Sequence, residues 1–104
     1  MRDDVIYLDR FVWNREKAKT NIEKHRVSFE VAARIFNDPV LYIEYDEINS
    51  TPAEERYHCT GMVAGALMVL RVTMTEREPY IRLISARKAT RKEISDYEKN
   101  FKNL

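Results

Sequence analysis

Four short β-forming segments follow one another between residues 40 and 85, and this spacing constrains the fold more than any other feature. The segments cover residues 40–45, 55–60, 66–75 and 80–85, and turn-forming sequences separate them. They are rich in the β-branched and aromatic residues that favour strands. Strands this close in sequence pair most simply with their neighbours. We therefore predict a four-stranded antiparallel meander, in which residues 66–75, apolar on both faces, form a central strand.

A short extended region and a helix precede the meander. Residues 5–8 and 11–13 are largely apolar and predict a short N-terminal strand. Asn14 is a candidate N-cap for a helix over residues 15–25, a stretch without glycine or proline. The members of its predicted buried stripe, spaced i, i+4 and i+7, are Ala18, Ile22 and His25.

Two further helices complete the pattern. Ser28 is a candidate N-cap for the second helix, which ends before Pro39 because proline disfavours a helical residue ahead of it. Thr90 and Glu93 have the spacing of a capping box and start a C-terminal helix. Its apolar stripe consists of Ile94, Tyr97 and Phe101. The order predicts a single α+β domain over residues 1–104, with the helices on one face of the sheet.

The balance of charge argues against a protein that coats nucleic acid. Eighteen Lys and Arg residues against 17 Asp and Glu residues give a formal net charge of +1. The distribution is uneven, however: residues 15–26 carry +3, residues 30–60 carry −5 and residues 82–104 carry +4. If the two basic segments meet, the fold presents a basic face. The alternative is two separate solvated helix faces.

The counts of cysteine and histidine exclude several kinds of site. The single cysteine, Cys59, cannot form an internal disulfide, so we expect a reducing, cytoplasmic setting and interpret Cys59 as a small apolar strand residue. The two histidines, His25 and His58, are far apart, so neither a metal site nor another cofactor is predicted. Apolar runs fall short of the ~20 residues that span a bilayer, so no membrane association is expected.

Several short motifs are distinctive in combination. They are Phe11-x-Trp13-Asn14, Lys17-x-x-x-Asn21-x-x-Lys24-His25, Ser28-Phe29-Glu30-x-Ala32, Phe36, Asp38-Pro39, Glu55-Arg56, Gly61, and Ile81-Arg82-x-Ile84-Ser85-Ala86-Arg87-Lys88-Ala89, followed by Glu93 and Tyr97. Their order and spacing resemble the BrnT family of bacterial type II toxins. Two features depart from the family pattern. Arg26 stands where the family usually has glycine, and residues 1–10 precede the shared motifs.

The resemblance implies a fold and a function. The fold would be that of the RelE-like microbial ribonuclease toxins, and the activity would be RNA cleavage that arrests translation. The resemblance also implies a BrnA-like antitoxin of the ribbon-helix-helix kind, in an assembly of two toxins with two antitoxins. In that assembly the antitoxin would hold the operator DNA.

Cleavage of RNA without a metal needs a base for the ribose 2′-OH, cations for the phosphorane and an acid for the 5′-oxygen. Arg56, Arg82 and Arg87 are the candidate cations, because a guanidinium can donate two parallel hydrogen bonds to a phosphate. We expect Arg82 on the last strand and Arg87 just past its end. The alternative for each arginine is a salt bridge with the acidic middle segment.

Lys24 and His25 complete the candidate catalytic residues. Lys24 would supply charge or act as a base, and imidazole exchanges protons near neutral pH. The position of His25 on the apolar stripe favours, as an alternative, a half-buried structural histidine. His58 lies between Tyr57 and Cys59 on a predicted strand and is interpreted as structural unless the fold places it beside an arginine.

The candidate RNA-binding residues are Trp13, Lys17 and Lys88. Trp13 would stack on a base, or instead staple its helix to the sheet. A second function stays open, because no complete acid–base pair shows a recognisable spacing. It is that of a non-catalytic binding module, a co-repressor that acts with its antitoxin on operator DNA.

Overall fold

The computed structural model describes residues 4–102, apart from the side chain of Phe101. These residues form a mixed α+β fold with a six-stranded sheet. The strands are β1 (Val5–Leu8), β2 (Phe11–Asn14), β3 (Tyr42–Tyr45), β4 (Arg56–Met62), β5 (Val69–Arg77) and β6 (Tyr80–Lys88). The helices are α1 (Arg15–His25), α2 (Phe29–Ala32), a 3₁₀ helix (Ala33–Asn37) and α3 (Arg91–Lys102). None of the helices in this part of the chain is long and apolar enough to cross a membrane.

The predicted antiparallel meander is confirmed as β3–β4–β5–β6. The prediction of one short N-terminal strand is wrong, because β1 and β2 form an antiparallel hairpin. β2 then pairs in parallel with β6, and the sheet is therefore mixed, in the order β1-β2-β6-β5-β4-β3. The backbone N–H of Ile81 donates to the carbonyl of Arg10 at 2.8 Å beside this pairing. The hairpin occupies an edge of β6 that a four-stranded meander would leave open.

One face of the sheet carries the hydrophobic core. Phe29, Ala32 and Ile35 are fully buried in one cluster with sheet residues such as Val72 and Ala86. The inward positions of β5 are Leu70, Val72 and Met74. The intervening positions, which face the other way, are Arg71, Thr73, Thr75 and Arg77. The strand is central in the sheet as predicted, but the prediction that most of it is apolar on both faces is wrong.

The third helix lies on the face opposite the core. Glu93 of α3 forms an ion pair with Arg71, whose side chain points away from the core side that Val72 occupies. The prediction that all helices share one face is therefore wrong. The capping box is confirmed, because Thr90 N–H donates to Glu93 Oε1 at 2.9 Å and Glu93 N–H to Thr90 Oγ1 at 3.2 Å. Phe101, in the predicted stripe, has a side chain outside the described residues.

Helix α1 begins as predicted but buries a different stripe. The Asn14 side chain accepts from the N–H of Lys17 at 2.9 Å and caps the helix. Ile22 is 43% exposed and His25 is also exposed, so the predicted stripe is wrong beyond Ala18. Asn21 is buried instead. The helix lies beside β6, and its inward side is the one that Asn21 occupies.

The amide of Asn21 joins α1 to the backbone of β6. Its Nδ2 donates to the carbonyls of Ala86 at 2.8 Å and Val27 at 2.9 Å, and its Oδ1 accepts from the N–H of Ala86 at 3.0 Å. The N–H and carbonyl of Ala86 are thus paired as a neighbouring strand would pair them. This contact fixes the end of β6, next to Arg87, against the helix.

Two backbone positions explain features of the motifs. Arg26 adopts the left-handed conformation, with φ 60° and ψ 30°, so it makes the turn that glycine would make more readily. Gly61 lies in β4, which continues to Met62 instead of turning after Thr60 as predicted. A Cβ at Gly61 would lie 2.8 Å from Leu41 Cδ1 and 3.1 Å from Ile35 Cβ, so the close crossing needs glycine.

Candidate active site

A register shift in β6 brings Arg82 and Arg87 to one face of the sheet. Thr73 pairs with Ser85 whereas Met74 pairs with Leu83, so Ile84 is an extra residue in β6. Such a bulge reverses the alternation of the side chains that follow it. β6 also continues to Lys88, so the prediction that Arg87 lies past the end of the strand is wrong.

Five arginines from three adjacent strands share the face opposite the α1–α2 core. We refer to it as the arginine face, and its members are Arg56, Arg71, Arg77, Arg82 and Arg87. Arg56 and Arg82 both pair with Thr75, in one row across the sheet, and Arg87 pairs directly with Arg71. Three predicted catalytic residues therefore meet on one surface. Arg71 and Arg77 were not predicted. The position of Arg71 between apolar Leu70 and Val72 was a usable signal, whereas Arg77 lies between two glutamates.

Glu54 lies among three of these arginines. Its carboxylate is 2.9 Å from Arg56 Nε, 3.0 Å from Arg77 Nη2 and 3.6 Å from Arg82 Nη1. Hydrogen bonds from Arg56 and then Arg77 lower the pKa of Glu54, so the carboxylate is ionised at neutral pH. The predicted alternative of ion pairs with the acidic middle segment is thus confirmed for Arg56 and Arg82. These pairs hold the guanidinium groups in fixed positions on the sheet.

Glu93 of α3 holds the other end of the arginine face. Arg87 donates to both of its oxygens, at 2.8 and 2.9 Å, and Arg71 Nε lies 3.2 Å from Oε2. The hydrogen bonds from Arg87 are the main reason why the pKa of Glu93 falls to about 2. Arg87 Nη1 also donates to the carbonyl of Lys88 at 3.2 Å. A guanidinium has five N–H donors, so these bonds leave Arg87 with donors for a further oxyanion.

His58 lies on the same face between Arg56 and Thr60, as the alternation of side chains along a strand requires for residues two positions apart. Its Nε2 is 3.0 Å from Asp46 Oδ2 and its Nδ1 is 3.0 Å from Thr73 Oγ1. Hydrogen bonds from the Asn49 side chain and backbone, together with the charge of His58, lower the pKa of buried Asp46 despite the opposing effect of burial. Ionised Asp46 accepts from Nε2–H, which leaves Nδ1 directed toward Thr73. His58 therefore has the partner that an acid–base histidine needs.

The remaining predicted site residues lie elsewhere. Helix α1 carries three of them in exposed positions: Lys17, Lys24 and His25. They lie beside the edge of β6 and do not belong to the strands that form the arginine face. His25 is therefore not the half-buried histidine that its stripe predicted. Lys88 is exposed and follows Arg87, so alternation directs it to the other face.

Trp13 and Cys59 belong to the core. Trp13 is 2% exposed and its ring packs edge-on against Phe29, with 5.8 Å between centroids. The predicted stacking of Trp13 on RNA is therefore wrong, because the enclosed ring packs in the core against α2. Burial raises the pKa of the Cys59 thiol to about 12, as expected for an inert strand residue. Within residues 4–102, no group of three His, Cys, Asp or Glu side chains is arranged to hold a metal ion.

The fold and the site together define a class of protein. It is a small α+β protein whose sheet presents ordered guanidinium groups around a histidine, a surface suited to the phosphates of a nucleic acid. Residues 13–93, more than half of the chain, match the family described as "Ribonuclease toxin, BrnT, of type II toxin-antitoxin system", and the chain belongs to this family. A family of this kind implies RNA as the target and a protein antitoxin as the partner. Comparison with curated proteins gave no match.

Proposed function

We propose that this toxin cleaves RNA on the arginine face by a metal-independent mechanism. The observation that carries the proposal is the convergence of Arg56, Arg82 and Arg87 with His58 on one surface. In this reaction the ribose 2′-oxygen attacks phosphorus and the bond to the 5′-oxygen breaks. The 5′-oxygen takes up a proton from water as it leaves, so the products are a 2′,3′-cyclic phosphate and a 5′-hydroxyl. The arginines stabilise the charge that develops on the phosphorane.

His58 supplies the proton transfer in this proposal. Asp46 orients the ring through Nε2, and Nδ1 lies 3.0 Å from a hydroxyl oxygen, that of Thr73. A ribose 2′-OH that takes the place of the Thr73 hydroxyl would give up its proton to Nδ1. Proton transfer of this kind contributes about 10²- to 10⁴-fold to a rate.

Glu54 and Glu93 prepare the arginines for the substrate. Each carboxylate fixes guanidinium groups before RNA arrives, so little side-chain entropy remains to be lost on binding. Lys17 and Lys24, exposed beside the edge of β6, would contact phosphates further along the strand, as would Lys88 at its end. His25 remains a second candidate for proton transfer, at the exposed end of α1.

The wider function that we propose follows the RelE-like toxins. RNA cleavage in the bacterial cytoplasm would arrest translation, and a ribbon-helix-helix antitoxin would cover the arginine face in an assembly of two toxins with two antitoxins. The antitoxin would carry the operator DNA, in keeping with the toxin's net charge of +1.

Purified toxin, freed of antitoxin and incubated with RNA in EDTA, tests the proposal. We expect RNA fragments with 2′,3′-cyclic phosphate ends, at rates that EDTA does not change. Abolition by EDTA with restoration by a divalent cation would contradict the metal-independent mechanism. Intact RNA, from a toxin that still binds its antitoxin and enhances operator binding, would favour the co-repressor function instead.

A further inference from the structure

A groove of about 400 Å³ opens beside the arginine face, where β1 and β2 meet β6 and the end of β5. The lining residues that bear on its chemistry are Tyr7, Val12, Arg77, Tyr80 and Arg82. Tyr7 pairs with Val12 and Val12 with Arg82, so these side chains share the arginine face. The volume falls in the range of about 300–1,000 Å³ that small-molecule sites occupy.

The aromatic wall of the groove is open to solvent. Tyr7 is 61% exposed, and its ring meets that of Tyr80 at 5.1 Å between centroids and an angle of 63°. An exposed ring held against a second ring loses little conformational freedom when a ligand stacks on it. Val12, which lies between Tyr7 and Arg82 in one row across the sheet, adds an apolar side chain to the lining. These features suit a flat aromatic ligand.

The opposite side of the groove carries positive charge. The Arg77 side chain is 54% exposed and that of Arg82 is 29% exposed, and both are held by Glu54. Arg82 is also one of the arginines that we place at the cleaved phosphate. A ligand in this groove would therefore combine an aromatic ring with a phosphate, as a nucleotide does.

We propose that this groove binds a nucleobase of the RNA adjacent to the cleaved phosphodiester, with the base stacked on Tyr7, whose ring Tyr80 supports, and its phosphate near Arg77 and Arg82. The inference rests on the proposed function and extends it to a subsite. Strand β1 and Tyr7 precede residues 13–93, so part of this subsite comes from a segment outside the matched family pattern. Stacking tolerates every base, so the subsite contributes affinity with weak sequence preference.

Fluorescence anisotropy with a labelled single-stranded RNA decamer carrying 2′-O-methyl groups tests the subsite without cleavage. We expect Tyr7→Ala to weaken binding by about 5- to 100-fold, the range for loss of one stacked base. Tyr7→Phe keeps the ring and should retain wild-type affinity. The matched control is Tyr45→Ala, because Tyr45 is also an exposed edge-strand tyrosine, 48% exposed, against a second tyrosine, Tyr57, at 5.6 Å. We expect this control to stay within about 2-fold of wild type.

The outcomes separate the subsite from the activity. Equal affinities for wild type and Tyr7→Ala would overturn the subsite, and cleavage of unmodified RNA by wild type would leave the proposed function standing. Failure of wild type to bind the decamer would overturn the subsite as well. Weaker binding by Tyr7→Ala with no cleavage by wild type would support the subsite and contradict the proposed activity. If Tyr7→Ala weakened only antitoxin binding, the groove would be a protein-docking site and the inference would be wrong.

Discussion

Arg82 and Arg87 lie on the same face of β6, although five positions along a regular strand would place them on opposite faces. Ile84, the extra residue that lies between them in β6, reverses the alternation. Ala86 remains in the core on the other face, so the bulge directs Arg87 outward without loss of packing. The arginine face therefore depends on a local irregularity of the backbone as much as on the identity of its side chains.

The first prediction concerns these two arginines. Arg82→Ala and Arg87→Ala should each lower the rate of RNA cleavage by about 10²-fold or more, because each removes a donor to the phosphorane. The measurement is the initial rate of RNA cleavage, compared at equal concentrations of folded protein. Arg91→Ala, an exposed substitution at the start of α3, is the control and should keep the wild-type rate. Wild-type rates in both test variants would place the site elsewhere.

The second prediction concerns proton transfer by His58. His58→Gln should lower the cleavage rate by about 10²-fold or more, because the glutamine amide can hydrogen bond but cannot act as an acid or a base. The thermal midpoint of unfolding, measured in parallel, reports any loss of fold. The same measurements on His25→Gln decide between the two histidines. If His25→Gln lowered the cleavage rate more than His58→Gln, proton transfer would be assigned to His25 on α1 instead.

The third prediction concerns the acid stability conferred by Glu93. Its pKa in the folded state, about 2, is below the ordinary value of 4.5, so the carboxylate stabilises the fold above about pH 4.5. That contribution is lost as the pH falls toward 2. Glu93→Gln should thus lower the free energy of unfolding by about 1–2 kcal/mol near neutral pH, a value reduced for solvent screening. Urea titrations from pH 7 to pH 2 should show the free energies of unfolding of wild type and Glu93→Gln converge as the pH falls. Glu98→Gln, at an exposed position on the same helix, should match wild type throughout.

The fourth prediction concerns the amide of Asn21. Asn21→Ala removes three hydrogen bonds and leaves the buried N–H and carbonyl of Ala86 without their partner. We expect a loss of about 2–4 kcal/mol in the free energy of unfolding. Thr20→Ala, at an exposed position one residue earlier, should change it by less than about 0.5 kcal/mol. A small effect of Asn21→Ala in urea unfolding would show that α1 is held by other contacts.

The fifth prediction concerns the left-handed residue that ends α1. Arg26→Gly should stabilise the protein by up to about 1 kcal/mol, because glycine adopts the φ of 60° without the clash that a Cβ produces. The greater flexibility of glycine in the unfolded chain opposes this gain. Arg26→Ala keeps the Cβ and removes the charge, so it should show no gain. A lower unfolding midpoint for Arg26→Gly would contradict the prediction.

Much of the fold could be predicted because its signals are local. The Asn14 cap, the Thr90–Glu93 capping box and the closely spaced strands each depend on residues near one another in sequence. The parallel contact of β2 with β6 could not be predicted, because it joins residues about 70 positions apart with no pattern to mark it. The burial of Asn21, which lies outside the predicted buried stripe, could not be predicted because it depends on the distant backbone of Ala86.

The candidate site was predictable only in part. Arginine chemistry pointed to Arg56, Arg82 and Arg87. The strand was predicted to end before Arg87, so the direction of that side chain stayed open, and the bulge that sets it has no signature in composition. The interpretation of His58 as an acid–base residue depends on the carboxylate of Asp46, which lies 3.0 Å from its ring. Twelve positions separate these two residues in sequence, and the turn between β3 and β4 brings them together.

The pairing of Asn21 with Ala86 also bears on how a partner can attach. A bare stretch of strand backbone invites another chain to extend the sheet, whether an antitoxin segment or an aggregating copy. Beyond the end of β2, the outer side of β6 would be such a stretch, but a helix side chain already satisfies it. Strand addition is therefore left to the outermost strands β1 and β3, each four residues long, which offer an incoming peptide only a short template.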